Sequence, residues 1–454
     1  MKKIDVNNMK KSVFVIILLI ILTPCYAQMS SERRVFSLND CMKYAVENNT
    51  GVKKQNLLNN NYRQDFNEAI ASLFPSIGGG VSLNSNSGRS VNPETNTYST
   101  TSNIGNSYSL SANMPIFNGL AGINTIRMSH VMKLMGIEQL QRIEDEVAIK
   151  TMQAYFDVVY FTSCVAITKQ QIETSGQVLF KSKKLEELGL KSAADVAQIE
   201  AQVASDDLLL IQQQNKLEVA LLSLKQQMNY PIKDTLEVDT DTKNIGVQEV
   251  DVSLGDAVDY ALNNNPKMLE SNYNLRSTMM NYKIAKGRLY PSISLGGGYS
   301  TNFYKNFNSD EKTIPFVTQF RENRGFYVGA SLSIPIFGGL RLRTTVNRSR
   351  NNMQIAEQQN VEAQREIELE VTQATLEMDG YSKEYIQADK KVEAADLAHQ
   401  ASLNKYEQGI VSAIDMQTTS NTLLLAKSQR LNAQLQYIIK TYLVEYYNGK
   451  SLIR

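Results

Sequence analysis

Few side chains in this 454-residue chain have the type and spacing for bond-making chemistry. The only histidines are His130 and His399. A zinc site needs three or four His, Cys or carboxylate ligands at close spacing. No Cys or second His stands near either histidine, so both read as packed or surface side chains. Neither a G-x-S-x-G elbow, an H-E-x-x-H helix nor a phosphate-binding glycine loop occurs. Gly78-Gly79-Gly80 and Gly296-Gly297-Gly298 invite a phosphate-cradle reading, but they sit in strand-like surroundings, where glycine suits crowded or bulged positions. Glu186-Glu187 and Asp206-Asp207 read as solvated helix faces. No catalytic, metal or cofactor residue is assigned, and an exported enzyme has no supporting constellation.

Two other groups do stand out, and each is written twice. Gly189, Leu190, Ser192 and Asp195 recur as Gly409, Ile410, Ser412 and Asp415. Glycine tolerates the left-handed conformation that ends a helix. A serine three residues on is an N-cap, and Asp three further completes the cap and suits the helix dipole. Each set predicts a tight turn between two helices, with Asp195 and Asp415 able to form acidic rings if several chains meet there. The second group is Pro75, Pro115 and Gly119, echoed by Pro291, Pro335 and Gly339. These predict transitions between strand and helix, because proline is disfavoured inside either.

The echo extends along the chain. Phe36–Thr50 matches Val252–Pro266 at an offset of 216, with seven of fifteen positions identical. The same offset pairs Leu73–Ile77 with Leu289–Ile293. At 220, Met114–Leu120 matches Ile334–Leu340, and Gln153-Ala154 matches Gln373-Ala374. The expected organisation is a first repeat over 28–230, a polar linker over 231–251 lying against the helices, and a second repeat over 252–454. Segment 1–27 reads as an export signal: four lysines, the apolar run Val13–Leu22, then Ala27. Met9 would give a tidier start. Cleavage after Ala27 removes four Lys and one Asp, taking the net charge from +1 to −2. Cys25 has a second reading as a lipid-acylated residue, which Pro24 disfavours. Balanced charge gives no reason to invoke nucleic acid.

Proline-free segments rich in Gln, Glu, Lys, Leu and Ala predict long helices over Leu120–Leu188 and Leu340–Gln408, each about 100 Å at about 1.5 Å per residue. Shorter helices are expected at Gly51–Leu73, Ser192–Asn229, Lys267–Leu289 and Ser412–Asn448. Placed end to end, a short and a medium helix nearly match one long helix. Between them lie period-two runs: Tyr108, Leu110, Ala112 and Met114 against Ser107, Ser109, Ser111 and Asn113, then Phe326, Val328, Ala330, Leu332 and Ile334 against Tyr327, Gly329, Ser331 and Ser333. Weaker runs follow Pro75 and Pro291. Strands are expected at about 76–84, 107–114, 292–301 and 325–334, joined by polar outer loops at about 85–106 and 302–324. One apolar and one polar face is the pattern of a membrane barrel. Four strands cannot close a barrel, and open edges in lipid are prohibitive. Two copies would give eight strands and three would give twelve.

In this order, twice over, the motifs resemble the TolC-like outer-membrane efflux proteins. The carriers are Tyr44-Ala45 through Asn49 with Tyr260-Ala261 through Pro266, and Pro75-Ser76 with Pro291-Ser292. Pro115–Gly119 with Pro335–Gly339, Gln153–Asp157, and the turns at Gly189 and Gly409 complete the set. The resemblance implies a homotrimer whose twelve strands form one barrel in outer-membrane lipid and whose helices form a periplasmic α-barrel. It implies that the two turns are periplasmic tips meeting an adaptor protein that links the duct to an inner-membrane pump. It implies passive export of small molecules, or type I protein secretion. Well-studied members carry an Arg two residues after the second tip glycine and a further Asp three residues after the one matching Asp415. Here those positions are Val411 and Thr418, so their closed-state lock and double acidic constriction are not carried over. A periplasmic coiled-coil protein without a pore would explain the helices and the signal but not the alternating strands.

Overall fold

The computed structural model describes residues 35–91, 96–240, 253–308 and 313–453. The expected signal at 1–27, and Cys25 with it, lies outside these residues. In chain order the elements are β1 (Val35–Phe36), α1 (Leu38–Asn48), α2 (Thr50–Ala71), β2 (Ser76–Val91), β3 (Tyr98–Asn118), α3 (Ala121–Glu187) and α4 (Ala193–Met228). Then come β4 (Glu237–Val238), α5 (Leu254–Asn264), α6 (Pro266–Gly287), β5 (Ser292–Asn306), α7 (Phe316–Glu322), β6 (Gly325–Ser333), α8 (Arg341–Glu407) and α9 (Ala413–Tyr447).

Helix ends are set by local chemistry. Ser37 and Asp40 form a capping box at α1. Asn49 caps α2 by accepting from the backbone of Gly51 and Val52. Asn265 caps α6 by accepting from the Lys267 amide at 2.9 Å, with Pro266 pre-set for the first turn. The extended backbone at Asn49 and Asn265 breaks what would otherwise be single helices.

Strands β2, β3, β5 and β6 form one antiparallel sheet in that order. The helices they run into lie side by side in the same order, with α3 packed on α2, α4 and α6, and α8 packed on α6 and α9. Helices α3 and α8 have 67 residues each. Beside each stands a composite column. Helix α4 meets the α1–α2 junction, where the Asn229 side chain donates to the Asn48 carbonyl at 3.1 Å. Helix α9 ends at the α5–α6 junction, where Tyr446 and Tyr447 line the same cleft as Asn265. The largest apolar core lies at this mid-level, with Met42, Met152, Phe156, Val158, Leu224 and Met228 deeply buried.

Several elements differ from expectation. Strands β2 and β3 run on to Val91 and back from Tyr98, through a stretch of Ser, Asn, Gly and Thr read as a loop. Backbone pairing satisfies such a hairpin without apolar side chains. Pro115 lies inside β3, at a register shift between Pro115 and Phe117, and the strand continues to Asn118. The bulge accommodates a proline that a regular ladder would reject. Strand β5 extends to Asn306, and the expected loop after it holds helix α7. In the linker, β4 pairs in parallel with β1 and Leu236 joins the core, so its described part is more than a surface strap.

Candidate functional site

The register brings every apolar run onto one face of the sheet. Ala112 lies opposite Ile77 and Gly297, and Gly297 opposite Val328. Leu110 aligns in the same way with Gly79, Tyr299 and Phe326. Since side chains alternate across a strand, Ile77, Val81, Leu83, Tyr108, Leu110, Met114, Leu295, Tyr299, Phe326, Val328 and Leu332 share that face. The other carries Ser76, Ser82, Ser107, Ser109, Ser294 and Ser331, with hydroxyl pairs at 2.6 Å (Ser82 and Ser107) and 2.7 Å (Ser294 and Ser331). Along β5 the apolar face runs from Ile293 to Phe303 without a charge. Ten steps of about 3.4 Å at a tilt of about 40° give a band about 26 Å tall, close to the roughly 25 Å of a membrane barrel. Exposed Phe74, Phe117, Tyr290 and Phe337 mark its lower edge. Aromatic residues ring such bands, which gives the aromatic residue beside each repeated proline a role.

Below the band the sheet turns into helices. Gly119 and Leu120 both have positive φ, as do Gly339 and Leu340. A Cβ at Gly119 would collide with the carbonyl of Gly287, whereas nothing in the chain approaches Gly339. Pro75 and Pro291 stand immediately before β2 and β5, and Pro335 follows β6.

At the far end the two helical turns are built alike. Gly189 has φ 71° and Gly409 φ 74°. The Gly189 amide donates to Glu186 and the Leu190 amide to Leu185, both at 2.8 Å. Gly409 donates to Tyr406 and Ile410 to Lys405 at 3.0 and 2.9 Å. This is the Schellman pattern that glycine permits. Ser192 accepts from the Asp195 amide at 3.1 Å, and Ser412 from the Asp415 amide at 3.2 Å. Each serine hydroxyl also donates to the aspartate at 2.8 Å. Capping therefore accounts for both serines and engages both carboxylates. Asp415 is exposed and Asp195 half-buried. Leu188, Leu190, Ile410 and Ile414 are exposed apolar residues at the same end.

The hairpins α3–α4 and α8–α9 are tied together near these turns. Lys191 lies over the Tyr406 ring at 3.8 Å, Ser182 and Tyr406 share a hydrogen bond of 2.9 Å, and Lys181 pairs with Glu407 at 2.6 Å. Further in, Gln171 donates to Ser420 at 2.6 Å, and Gln202 bonds both Gln417 and Asn421. Gln202 also donates to Asp206 at 2.6 Å. Asp206, expected on a solvated face, is buried because this polar layer encloses it. The histidines are far from one another in sequence and in different settings. His130 meets the Phe66 ring at 5.5 Å with the planes inclined by 57°, and burial holds His399 below its ordinary pKa. Among the described residues no cluster of His, Cys, Asp or Glu is placed to hold a metal ion. No described helix is long and apolar enough to cross a membrane.

Strands with one apolar and one polar face, each running into a column of helix, are the fold of an outer-membrane duct with a helical extension. The family model described as outer membrane efflux protein matches residues 42–229 and 257–441, and the chain belongs to that family. Its place is the outer membrane. Over 302 residues it is 23% identical to outer membrane protein TolC of Vibrio cholerae, a match covering 64% of this chain and 65% of that protein's length. Its fold resembles VceC of Vibrio cholerae, with a TM-score of 0.78, 13% identity and coverage of 91% of this chain and 96% of that one. It also resembles the CmeC channel of Campylobacter jejuni, with a TM-score of 0.76, 18% identity and coverage of 91% and 85%.

Proposed function

We propose that three copies of the chain close into a ring, with one twelve-stranded barrel in the outer membrane and a helical tunnel beneath it. This duct passively exports small molecules delivered by an inner-membrane pump through a periplasmic adaptor. The observation carrying the proposal is the pair of open sides. Among the described residues, edge strands β2 and β6 lack outer partners within the chain. Leu57, Leu369, Leu376 and Val219 are exposed on the helices below. Open strand edges and apolar patches of this kind call for a partner.

The seam within the chain, between the repeats, supplies a template for the seam between copies. Ser111 lies opposite Gly298. Adding 220 to the first and subtracting 216 from the second places Ser331 opposite Ser82 of the partner subunit. Both serines belong to the polar face, so the parity agrees. The in-chain ion pair Arg142–Glu270, at 2.7 Å, maps onto Glu362 and Lys54 of the partner subunit. The charges are exchanged but still opposite, and both side chains are exposed in the single chain.

The tips at Gly189, Leu190, Ser192, Gly409, Ile410 and Ser412 are the adaptor-docking ends, their exposed Leu190 and Ile410 meeting an apolar helical hairpin. Asp415, and Asp195 less directly, lend the mouth a negative ring that favours cations. Pro75, Pro115, Gly119, Pro291, Pro335 and Gly339 shape the passage from tilted strands to helices. The test is export by cells lacking the native gene. A Leu190→Asp, Ile410→Asp variant should reach the outer membrane as a ring yet fail to restore dye efflux or retain the adaptor. Full efflux by that variant would refute docking at these tips.

A further inference from the structure

Helix α7 follows a strand on the extracellular side of the sheet, yet it does not stand away into solvent. It is folded back onto the apolar face. Phe320 meets Tyr108 at 5.2 Å between ring centroids, and Phe316 meets Phe303 at 5.3 Å. Register puts Tyr108 and Phe303 on the same face as Leu110 and Tyr299. The attachment is built, not incidental. Beyond Ser300, whose partner Gly325 is the first residue of β6, the Gln319 side chain completes the ladder of β5. It accepts from the Tyr304 amide at 2.9 Å and donates to the Tyr304 carbonyl at 3.0 Å. Thr301 donates to the Phe320 carbonyl at 2.7 Å, and Asn323 donates to Asn302 at 2.9 Å. The outward side of the helix nonetheless leaves Val317 73% exposed and Phe316 and Phe320 half-bare, as is Ile314 just before it. Arg321 and Arg324 are exposed beside it, with Glu322 3.8 Å from Arg321. Lys305 and Arg89 occupy the same face of the sheet just above the apolar band.

We infer that α7 is an interfacial anchor that seats on the outer leaflet. Its apolar side meets the upper acyl chains, and Arg321, Arg324, Lys305 and Arg89 meet the phosphates of the outer-leaflet glycolipid. Continuity with the lipid-facing band and, among the described residues, four cations against the carboxylate of Glu322 at this level both point to that occupant. The inference rests on the reading that the apolar sheet face meets lipid. The alternative occupant is the upper β2–β3 hairpin of a neighbouring copy.

The chain contains no Trp, so Val317→Trp introduces one selectively excitable indole per chain at an exposed position, and Phe326→Trp does so on the strand face. Assembled protein is placed in vesicles of ordinary or brominated phosphatidylcholine. Both variants should emit at short wavelength, and both should lose half or more of their intensity in brominated lipid. Quenching of the Trp at 326 but not at 317 would overturn the anchor, whether the latter emits as if in water or as if covered by a second copy. Quenching of neither would overturn the membrane-facing reading itself. Should Val317→Trp fail to assemble, a nitroxide on Val317→Cys reports the same through its accessibility to oxygen over a water-soluble nickel chelate. For the headgroup, native mass spectra of the purified assembly should show bound phosphorylated glycolipid that is lost in Arg321→Glu, Arg324→Glu. Equal retention by that variant would overturn the phosphate contact.

Discussion

Placing a charge at the middle of the apolar band should be far more damaging than placing one on the opposite face three residues away. Val328 lies opposite Gly297, near the centre of the uncharged run from Ile293 to Phe303, and is 79% exposed in the single chain. An Arg on the lipid face costs about 2–4 kcal/mol at the midplane and about 0–1 kcal/mol near the edges. In a trimer the cost is paid three times, about 6–12 kcal/mol per assembly. Even about 2 kcal/mol per copy lowers the folded-to-unfolded ratio about thirtyfold. Ser331→Asp instead faces the bore, where water solvates the carboxylate, and loses the hydroxyl contact with Ser294, worth about 1 kcal/mol. Leu332, in the lowest row opposite Ile293, should respond less than Val328. The assay is urea unfolding in vesicles, with heat-dependent gel migration as a check on barrel formation. Equal stability of Val328→Arg and Ser331→Asp would refute the assignment of faces.

Other consequences follow from single residues. Gly409→Ala meets no neighbour, so its cost is the left-handed backbone alone, about 1–2 kcal/mol; faster amide exchange confined to the ends of α8 and α9 would show it. Gly119→Ala adds a collision with Gly287, and Gly339→Ala should be comparably harmful only in the assembled ring, where a partner subunit supplies the equivalent neighbour. Burial, partly offset by hydrogen bonds from Tyr446 and Gln141, raises the carboxyl pKa of Asp145. The folded chain therefore holds that proton more tightly than the unfolded chain. The resulting stabilisation is present below the unfolded carboxylate pKa of about 4 and is lost as pH rises through the folded value. Asp145→Asn should flatten this part of the melting-temperature profile between pH 4 and neutrality, as pH-resolved thermal scans would show. Cys41 is buried, its thiol pushed up to about 12 mainly by desolvation and secondarily by Asp40. It should resist maleimide at neutral pH until the protein unfolds.

What could be read from the sequence was whatever depends on local chemistry repeated at a fixed offset. Gly189 and Gly409 stop helices because of their own backbone freedom, and Ser192 and Ser412 cap because the next turn offers amides. Alternation in Ser107–Met114 and Gly325–Ile334 revealed two faces. The extension of β2 and β3 was hidden because Ser, Asn and Gly side chains give no period when backbone pairing alone holds the hairpin. Pro115 looked like a strand end, since only the register with β5 shows that a bulge absorbs it. Helix α7 left a faint signal, Phe316, Val317 and Phe320 after Pro315, but its seat depends on Gln319 reaching the β5 backbone. Asp206 looked solvated because its partner Gln202 is itself held by Gln417 and Asn421 from the other repeat, and no local pattern announces them.

A closed duct depends most on identical neighbours completing its wall. Ser82 and Ser331 sit on opposite edge strands of one sheet, so a single chain cannot bring them together. In the proposed ring they would lie opposite each other, at the Cα separation of about 4.5–5.5 Å that a disulfide spans. Oxidised Ser82→Cys, Ser331→Cys protein should run as a covalent trimer that heat in detergent cannot dissociate without reductant, while Ser76→Cys, Ser331→Cys should not. A monomer after oxidation of the first pair, or equal linking of the second, would contradict the ring.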